Sequence, residues 1–204
     1  STMIKAIMGE IDFEGKLELT LNFAEATINS INTGNLDCNF SEIYIKQAES
    51  LRIKSKSTKF EIPEIKELDA ESRRDNFRIR TIDRLEASGS FSNFRINELT
   101  DRINLKVDYG DLDIDKTAAD FSTIYIEAKS TDINLHFDET SKFKFEITHT
   151  KSELGFSNKI KIEEEKTIDE KEKTVEMVGY FGAKATNTKL NIKANSGEIN
   201  IFSN

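Results

Sequence analysis

The feature of this sequence that most constrains its fold is a repeat with a period of 17 residues. The first five blocks of the repeat follow one another without a break, and insertions separate the later ones. The blocks begin at Leu17, Gly34, Leu51, Leu68, Leu85, Ile103, Ile124 and Phe143. A period this short means that the chain is built from stacked copies of one small unit, so the structure of that unit determines the fold.

The pattern inside each block predicts β-strands. Apolar or small residues stand at the first, third and fifth places, again at the tenth and twelfth, and usually at the fifteenth. This alternation has the period of two that belongs to a strand. Places eight and nine carry turn residues, for example Thr58-Lys59 and Ser92-Asn93. Each block is therefore expected to form a short strand, a turn, a second short strand and a corner.

A unit of two short strands cannot bury its own apolar side, but stacked units form a continuous core. The sequence therefore predicts an all-β chain that folds as a single-stranded β-solenoid with coils of about 17 residues. Its core ladder is expected at the places where three successive blocks agree. These residues are Leu51, Leu68 and Leu85, Phe60, Phe77 and Phe94, and Ile62, Ile79 and Ile96.

Outward-facing charges support the same register. Opposite charges on adjacent strands attract, and each pair contributes from a few tenths to about 1 kcal/mol. The expected neighbours are Arg52 with Asp69, Lys54 with Glu71, Glu61 with Arg78, and Arg95 with Asp113.

The repeat becomes irregular towards the carboxyl end. Residues 159–178 are rich in charges of both signs, and the pattern returns from Leu190 onward. We therefore expect one β-solenoid domain over residues 1–204. It would contain regular coils in 16–154, an irregular charged hairpin in 155–185 and a closing coil in 186–204.

Composition excludes two classes of function. Asp and Glu number 37 against 29 for Lys and Arg, which gives a formal net charge of -8. An acidic protein has no surplus of positive charge with which to bind phosphate backbones, so nucleic acid is excluded as a partner. The longest apolar runs are only a few residues, so no membrane-spanning helix is expected. The amino terminus lacks the basic and then apolar pattern of a signal peptide.

Cysteine and histidine give no sign of a metal site. Cys38 is the only cysteine, which excludes an internal disulfide and a cysteine cluster. Its fifth place in the block predicts a small buried side chain. His136 and His149 are the only histidines, and no pattern of ligands accompanies them. His136 is expected to face solvent just beyond a strand.

Three alternating aspartates, Asp111, Asp113 and Asp115, resemble the start of a calcium loop. The residues between them occupy inward places, and alternate carboxylates on one strand lie about 6.6 Å apart, which is too far to share an ion. A solvated face paired with Arg95 is the favoured interpretation. No catalytic residue, metal ligand or cofactor is predicted for this chain.

Two stretches carry a resemblance to a known family. Residues 109–114 read Tyr-Gly-Asp-Leu-Asp-Ile and residues 196–201 read Ser-Gly-Glu-Ile-Asn-Ile. They resemble the small-Gly-acid-apolar-x-apolar turn of the bacterial adhesin-type β-strand-repeat families, which include the head GIN domain. The resemblance implies a β-solenoid exported to the periplasm or cell surface of a bacterium, with no established biochemical activity. Here Ser, Asn or Asp replaces Gly at most turns.

One concentrated basic feature stands out on this acidic chain, and we name it the arginine cluster. It consists of Arg73, Arg74, Arg78, Arg80 and Arg95. Three of these residues should line one outer face over two coils, and the first two should lie in the adjoining turn. They are interpreted either as a ladder paired with Glu61, Asp113 and Asp115 or as a site for an anion or an acidic glycan.

Aromatic residues recur at the seventh place of the block, in Phe40, Phe91 and Tyr109. Packing against a corner of the coil is the first interpretation, and a platform that stacks on sugars is the second. The further aromatic residues expected to extend such a surface are Phe121, Tyr125 and Phe137.

Three functions remain open at this point. The first is a non-enzymatic module, at the bacterial surface or in the periplasm, that presents a face to a protein or glycan partner and works as a monomer or homo-oligomer. The second is a structural filament resembling the bactofilins, which would need exposed terminal strands. The third is a polysaccharide-degrading β-helix, but those enzymes have longer coils and clustered acids in a groove.

Overall fold

The computed structural model describes residues 2–4, 8–12, 16–184 and 187–204, in which every regular element is a β-strand. The strands are β1 (Thr2–Ile4), β2 (Met8–Asp12), β3 (Lys16–Asn22), β4 (Glu25–Asn39), β5 (Glu42–Lys56), β6 (Lys59–Arg73), β7 (Asn76–Ser90), β8 (Asn93–Asp108), β9 (Asp111–Thr117), β10 (Thr123–Lys129), β11 (Asp132–Phe137), β12 (Phe143–Phe156), β13 (Ile160–Asp169), β14 (Thr174–Phe181) and β15 (Lys189–Ser203). Among these residues no helix is long and apolar enough to cross a membrane.

The strands wind into a β-solenoid, which confirms the predicted fold class. Each coil pairs in parallel with the next, and residues at equivalent places face one another across the strands. Leu51 pairs with Leu68, and Leu68 pairs with Leu85. The 17-residue period is therefore the length of one turn of the coil.

Side chains at equivalent places stack in the core. The rings of Phe60 and Phe77 lie 4.7 Å apart between centroids, and those of Phe77 and Phe94 lie 4.9 Å apart. Both pairs are nearly parallel, and all three side chains are at most 1% exposed. The rest of the predicted core ladder is buried in the same way. Stacked aromatic rings add to the free energy gained from burial.

The two predicted strands of a coil are joined more continuously than the repeat suggested. From β4 to β8 the chain stays extended for 15 or 16 residues, from the ninth place of one block to the sixth place of the next. The expected corner is a gradual bend without a break in pairing. Ile65 and Ile82, at the fifteenth place, point into the core along this bend and pair with each other.

In the regular coils of β4 to β8 one sharp turn interrupts each coil, and it lies one residue earlier than predicted. The seventh and eighth places form the turn, as in Ser57-Thr58, and the ninth place already begins the next strand. The residue at the seventh place adopts the left-handed backbone conformation, with φ of 53° at Ser57 and 56° at Phe91. A single left-handed residue reverses the chain within this short space.

The order of the coils in space differs from their order in the sequence. Strand β15 forms the predicted closing coil, but it lies between β10 and β12 instead of at the end of the stack. Leu190 pairs with Ile124 on one side and with Phe145 on the other. The last block therefore begins at Phe145, and not at Phe143 as the sequence suggested. After β11 the chain skips one coil position, forms β12 beyond it, and returns as β15 to occupy the skipped position.

A β-hairpin covers the far end of the solenoid. Strand β14 pairs with β12 in an antiparallel arrangement, and β13 pairs with β14 in the same way. This is the charged hairpin expected in 155–185, although its strands are regular. The boundary predicted at residues 185 and 186 lies outside the described residues. Along β13 only Ile160 is buried, and Glu163, Glu164 and Glu165 are exposed. Charges on an edge strand oppose pairing with another chain.

The stacked phenylalanines allow a first prediction about stability. Phe77→Ala should lower the free energy of unfolding by about 3–5 kcal/mol, because it leaves a cavity between two rings that cannot close. Urea unfolding measures this change. Arg78→Ala, on the exposed side of the same strand, is the matched control and should change stability by less than about 0.5 kcal/mol. Equal effects of the two substitutions would contradict the stacked core.

Candidate functional site

The sharp turns of successive coils align into an exposed edge that runs parallel to the solenoid axis. We call this edge the turn ridge and define it by the seventh-place residues of the seven coils from Phe23 to Ser130. In spatial order they are Phe23, Phe40, Ser57, Arg74, Phe91, Tyr109 and Ser130. The ridge separates two outer faces of the coil, one formed by the places before the turn and one by the places after it.

Backbone hydrogen bonds fix the ridge with a regular spacing. Each seventh-place N–H donates to the sixth-place carbonyl of the next coil, for example from Phe40 to Lys56 at 2.9 Å and from Phe91 to Asp108 at 2.8 Å. The same bond recurs at every ridge residue from Phe23 to Ser130, with distances of 2.8 to 2.9 Å. Ridge side chains are therefore held one strand spacing apart.

Four of the seven ridge residues are aromatic, and they stack in two pairs. The ring centroids of Phe23 and Phe40 lie 5.1 Å apart, and those of Phe91 and Tyr109 lie 5.1 Å apart. The exposed fraction is 73% for Phe23, 48% for Phe40, 52% for Phe91 and 45% for Tyr109. Packing against the corner of the coil therefore covers only part of each of these rings, and about half or more of their surface faces solvent.

The backbone gains nothing from aromatic residues at this place. A side chain other than Gly costs about 1 kcal/mol in the left-handed conformation. Phe40 and Tyr109 have φ of 51° and 59°, and half of each side chain lies in water. Ser57 and Ser130 make the same turn with a small side chain. The aromatic residues are thus a property of the surface and not a requirement of the turn.

Positive charges accompany the rings along the ridge. The ammonium group of Lys56 lies 5.6 Å from the centre of the Phe40 ring, and that of Lys129 lies 5.7 Å from the centre of the Tyr109 ring. Both lysines occupy the sixth place of the coil that follows the ring. An exposed cation over an aromatic ring contributes about 0.5–1 kcal/mol. The rings and cations therefore form one combined surface.

A row of buried polar residues lies beneath the ridge at the eighth place. Its members include Ser41, Thr58, Asp75, Ser92 and Thr131. The side-chain oxygens of Ser41, Asp75 and Ser92 accept hydrogen bonds from the eighth-place N–H of the preceding coil, whereas the Thr58 hydroxyl donates to the Cys38 carbonyl. The bonds run from Ala24 N to Ser41 Oγ at 3.1 Å, from Thr58 N to Asp75 Oδ1 at 2.7 Å and from Asp75 N to Ser92 Oγ at 3.2 Å. Sequence reasoning identified these residues as turn formers and missed their burial.

Asp75 is the charged member of this row and is 1% exposed. Besides the N–H of Thr58, its carboxylate accepts hydrogen bonds from Ser55 Oγ at 2.7 Å and from the N–H of Arg73 at 2.9 Å. Burial raises the pKa of Asp75, and these hydrogen bonds partly oppose the increase. With three donors on a buried carboxylate, Asp75 holds two coils together at the turn.

The structure places the arginine cluster on both sides of the ridge. Arg78 and Arg95 occupy the same place in adjacent coils and are direct partners across the strands. Arg80 is exposed on the same strand as Arg78. Arg73 ends β6 before the turn, and Arg74 is a ridge residue with φ of 58°. The cluster therefore extends from the face after the turn, over the ridge, to the face before it.

The ion pairs expected for the cluster form only in part. Arg95 Nη2 lies 3.1 Å from Asp113 Oδ2, as predicted. Glu61 is the strand neighbour of Arg78, but the two form no ion pair in the described structure. Like charges on directly opposite residues repel each other, and of Arg78 and Arg95 only Arg95 is neutralised, by Asp113.

Several other exposed cations of the solenoid are neutralised by an acid of an adjacent coil. Arg52 bonds to Asp69 at 2.9 Å and Lys54 lies 3.6 Å from Glu71, as the sequence predicted. A shallow groove of about 690 Å³ crosses five coils beside these residues, and its Arg84 contacts both Glu67 and Asp101. Arg52 and Arg84 of this groove are thus neutralised by acids of neighbouring coils.

The aspartates that resembled a calcium loop serve the coil contacts. Leu112 and Ile114 are fully buried, as predicted, so their neighbours face outward. Asp113 binds Arg95 and also accepts a hydrogen bond from the amide of Asn134 at 2.8 Å. Burial and the nearby Asp132 and Asp113 raise the pKa of Asp111. Within the described residues no group of three or more His, Cys, Asp and Glu is arranged to hold a metal ion.

Cysteine and histidine occupy the following positions. Cys38 is fully buried, as predicted, and burial raises the pKa of its thiol to about 12. His136 lies within β11, is partly exposed, and shares a hydrogen bond of 2.9 Å with Asn204. His149 takes an inward place opposite Ala194 and is buried. Neither ring nitrogen of His149 has a protein hydrogen-bond partner, and burial lowers its pKa.

The expectation that Phe121, Tyr125 and Phe137 extend an aromatic surface is wrong for the two phenylalanines. Phe121 and Phe137 are fully buried and pack against the rings of Phe143 and Phe181. Tyr125 remains partly exposed on a different face. Phe121 lies in the insertion that follows β9 and Phe137 ends β11, and both rings fill the core beneath the hairpin.

These observations define a β-solenoid protein whose turns carry an exposed row of rings and cations. A model of the family described as Toastrack DUF4097 matches residues 4–202. The chain therefore belongs to the Toastrack DUF4097 family. Searches of curated proteins and of solved structures found no match.

The buried row makes a prediction for Asp75. Asp75→Ala should lower the free energy of unfolding by about 2–4 kcal/mol, because it leaves buried N–H and O–H donors without an acceptor. Asp75→Ser is the matched variant and should stay within about 1 kcal/mol of the wild type, because Ser92, at this place in the next coil, accepts the same bond. Urea unfolding of both variants decides this, and a well-tolerated alanine would contradict the role of the row.

The environment of His149 predicts a dependence of stability on pH. Its pKa in the folded protein is lower than the unfolded value of about 6.5, so the unfolded chain binds the proton more readily. Stability is therefore complete above about pH 6.5 and is lost as pH falls towards the folded pKa, by at most about 1.4 kcal/mol per pH unit. His149→Leu should remove this loss. Parallel curves of unfolding free energy against pH for the two proteins would contradict it.

Proposed function

We propose that this protein is a non-enzymatic, adhesin-like binding module that acts outside the bacterial cytoplasm and uses the arginine cluster to hold an anionic partner. The observation that carries the proposal is the concentration of unneutralised positive charge on an acidic protein. Arg73, Arg74, Arg78 and Arg80 form no ion pair within the described structure, whereas Arg52, Lys54 and Arg84 each have an acidic partner on a neighbouring coil.

The position of these arginines suits recognition of an anion. Arginine presents a planar set of donors that matches carboxylate, sulfate and phosphate groups. Arg78 lies directly beside Arg95, whose charge Asp113 already neutralises, so the charge of Arg78 is the one left for a bound anion. The solenoid holds their backbones at a fixed spacing, and this reduces the entropy lost on binding.

The described acidic residues support a binding role more than a catalytic one. Asp132 accepts a hydrogen bond from the N–H of Glu198, and Asp113 is bonded to Arg95 and Asn134. These carboxylates are engaged in joining coils. A filament is also less well supported, because the charged hairpin of β13 and β14 covers one end of the stack.

The location outside the cytoplasm rests on the resemblance of the turns at 109–114 and 196–201 to exported β-strand-repeat domains. Fractionation of the cells that produce the protein is the direct test of this location.

The arginine cluster predicts the effect of reversing its charge. Arg78→Glu combined with Arg80→Glu should weaken binding to acidic glycans on an array at least about tenfold, because the variant repels the anion that the wild type attracts. The matched control is Arg52→Glu combined with Lys66→Glu, which changes the net charge equally at residues that are ion-paired in the wild type. Unchanged binding by the first variant would end the proposal.

A further inference from the structure

We propose that the turn ridge is a binding track for an acidic polysaccharide, which lies along the ridge parallel to the solenoid axis. This inference rests on the proposed function and deepens it, because it names the class of partner and a second surface that binds it.

The shape of the ridge suits a linear ligand. Its seven residues from Phe23 to Ser130 follow one another at one strand spacing, which gives a track of about 29 Å. Every step is set by the same backbone hydrogen bond between adjacent coils. A straight row of evenly spaced groups matches an extended polymer whose own groups repeat at a regular distance. A compact ligand would contact only one or two of these positions.

The chemistry of the ridge suits sugars that carry a negative charge. Exposed rings such as Phe91 and Tyr109 pack well against the C–H groups of a pyranose ring, because both surfaces are apolar and rigid. Lys56, Arg73 and Lys129 lie beside the ridge at the sixth place of their coils, and form no ion pair within the described residues. Their charges would meet carboxylate or sulfate groups of the polymer.

Two pairs of rings are separated by one cation along the track. In spatial order the stacked pair Phe23 and Phe40 is followed by Ser57 and Arg74, and then by the stacked pair Phe91 and Tyr109. Ser57 leaves a gap between the two pairs, and Arg74 occupies the ridge position next to Phe91. An acidic sugar chain offers the complementary alternation of C–H faces and charged groups.

Charge complementarity selects an anionic partner over a neutral one. The protein carries a formal charge of -8 and repels anions in general. Elsewhere along the described solenoid, exposed cations such as Lys66 and Lys106 are paired with acids of the adjacent coil. The cations of the ridge are left available for a ligand.

The test uses the full chain and polygalacturonate as the acidic polysaccharide, with dextran as the neutral one. Binding is measured by isothermal titration calorimetry and by retardation in gels that contain either polymer. The first variant combines Phe91→Ser with Tyr109→Ser, and should fold because Ser57 and Ser130 make the same turn. The second combines Lys56→Ser with Lys129→Ser. Thermal unfolding followed by circular dichroism confirms that each variant is folded.

The matched control combines Tyr44→Ser with Tyr125→Ser, which removes two partly exposed rings that lie away from the ridge. Loss of the ridge rings should weaken binding to polygalacturonate about tenfold or more, and loss of the lysines should weaken it severalfold. The control should stay within about twofold of the wild type. Dextran should bind to none of these proteins.

Three outcomes would overturn the inference. The first is that a folded variant without the ridge rings binds polygalacturonate as tightly as the wild type does. If charge reversal of Arg78 and Arg80 still weakens binding in that case, the proposed function stands and the ridge is not part of it. The second is equal affinity for dextran, which would show that the charge of the ligand is irrelevant. The third is wild-type binding to vesicles of anionic phospholipid without binding to the polysaccharide, which would assign the ridge to a membrane surface. Failure to bind any anionic polymer or vesicle would end both proposals.

Discussion

Residue-by-residue pairing of parallel coils is the constraint on which the rest of this structure depends. Every coil from β4 to β8 donates and accepts backbone hydrogen bonds along nearly its whole length, so equivalent places lie one strand spacing apart. Each inward residue then packs on its equivalent in the next coil, as Phe77 does between Phe60 and Phe94. The same pairing arranges outward residues in rows, which gives the ion pairs on the faces and the rings on the ridge.

Two adjacent places of each block together reverse the chain at the sharp turn. The seventh place supplies the left-handed backbone, and at the eighth place Ser41, Asp75 and Ser92 turn a polar side chain inward to bond the backbone of the preceding coil. Buried serine, threonine and aspartate thus stabilise the turn where glycine would only permit it. Because the hydrogen bonds of the eighth-place side chains hold the backbone of the turn, the seventh-place side chain can vary, as it does between Ser57, Arg74 and Phe91. This freedom lets the surface of the ridge change without a change of fold.

Much of the fold follows from the sequence because it depends on a local and repeated pattern. The alternation of apolar residues within a block gives the strands, and the period gives the partner of each residue, including Arg52 with Asp69 and Arg95 with Asp113. The candidate site follows only in part. The seventh-place positions of Phe40, Phe91 and Tyr109 were visible, but their exposure was not, because a ring at a turn can point in either direction. Lys56 and Lys129 gave no signal, because their contacts with the rings come from the neighbouring coil.

The sequence by itself determined the length of the coil, the register of its neighbours and the residues that fill the tube, because 17-residue periodicity and alternation within a strand leave one way to bury the apolar side. Only the tertiary structure decided that β15 inserts between β10 and β12, that the β13 and β14 hairpin closes the end, and that Phe121, Phe137 and His149 lie inside. These features depend on which segments meet after the repeat becomes irregular. Several strand edges can compete to pair with the same distant strand. The local sequence pattern does not indicate which of them pairs with it.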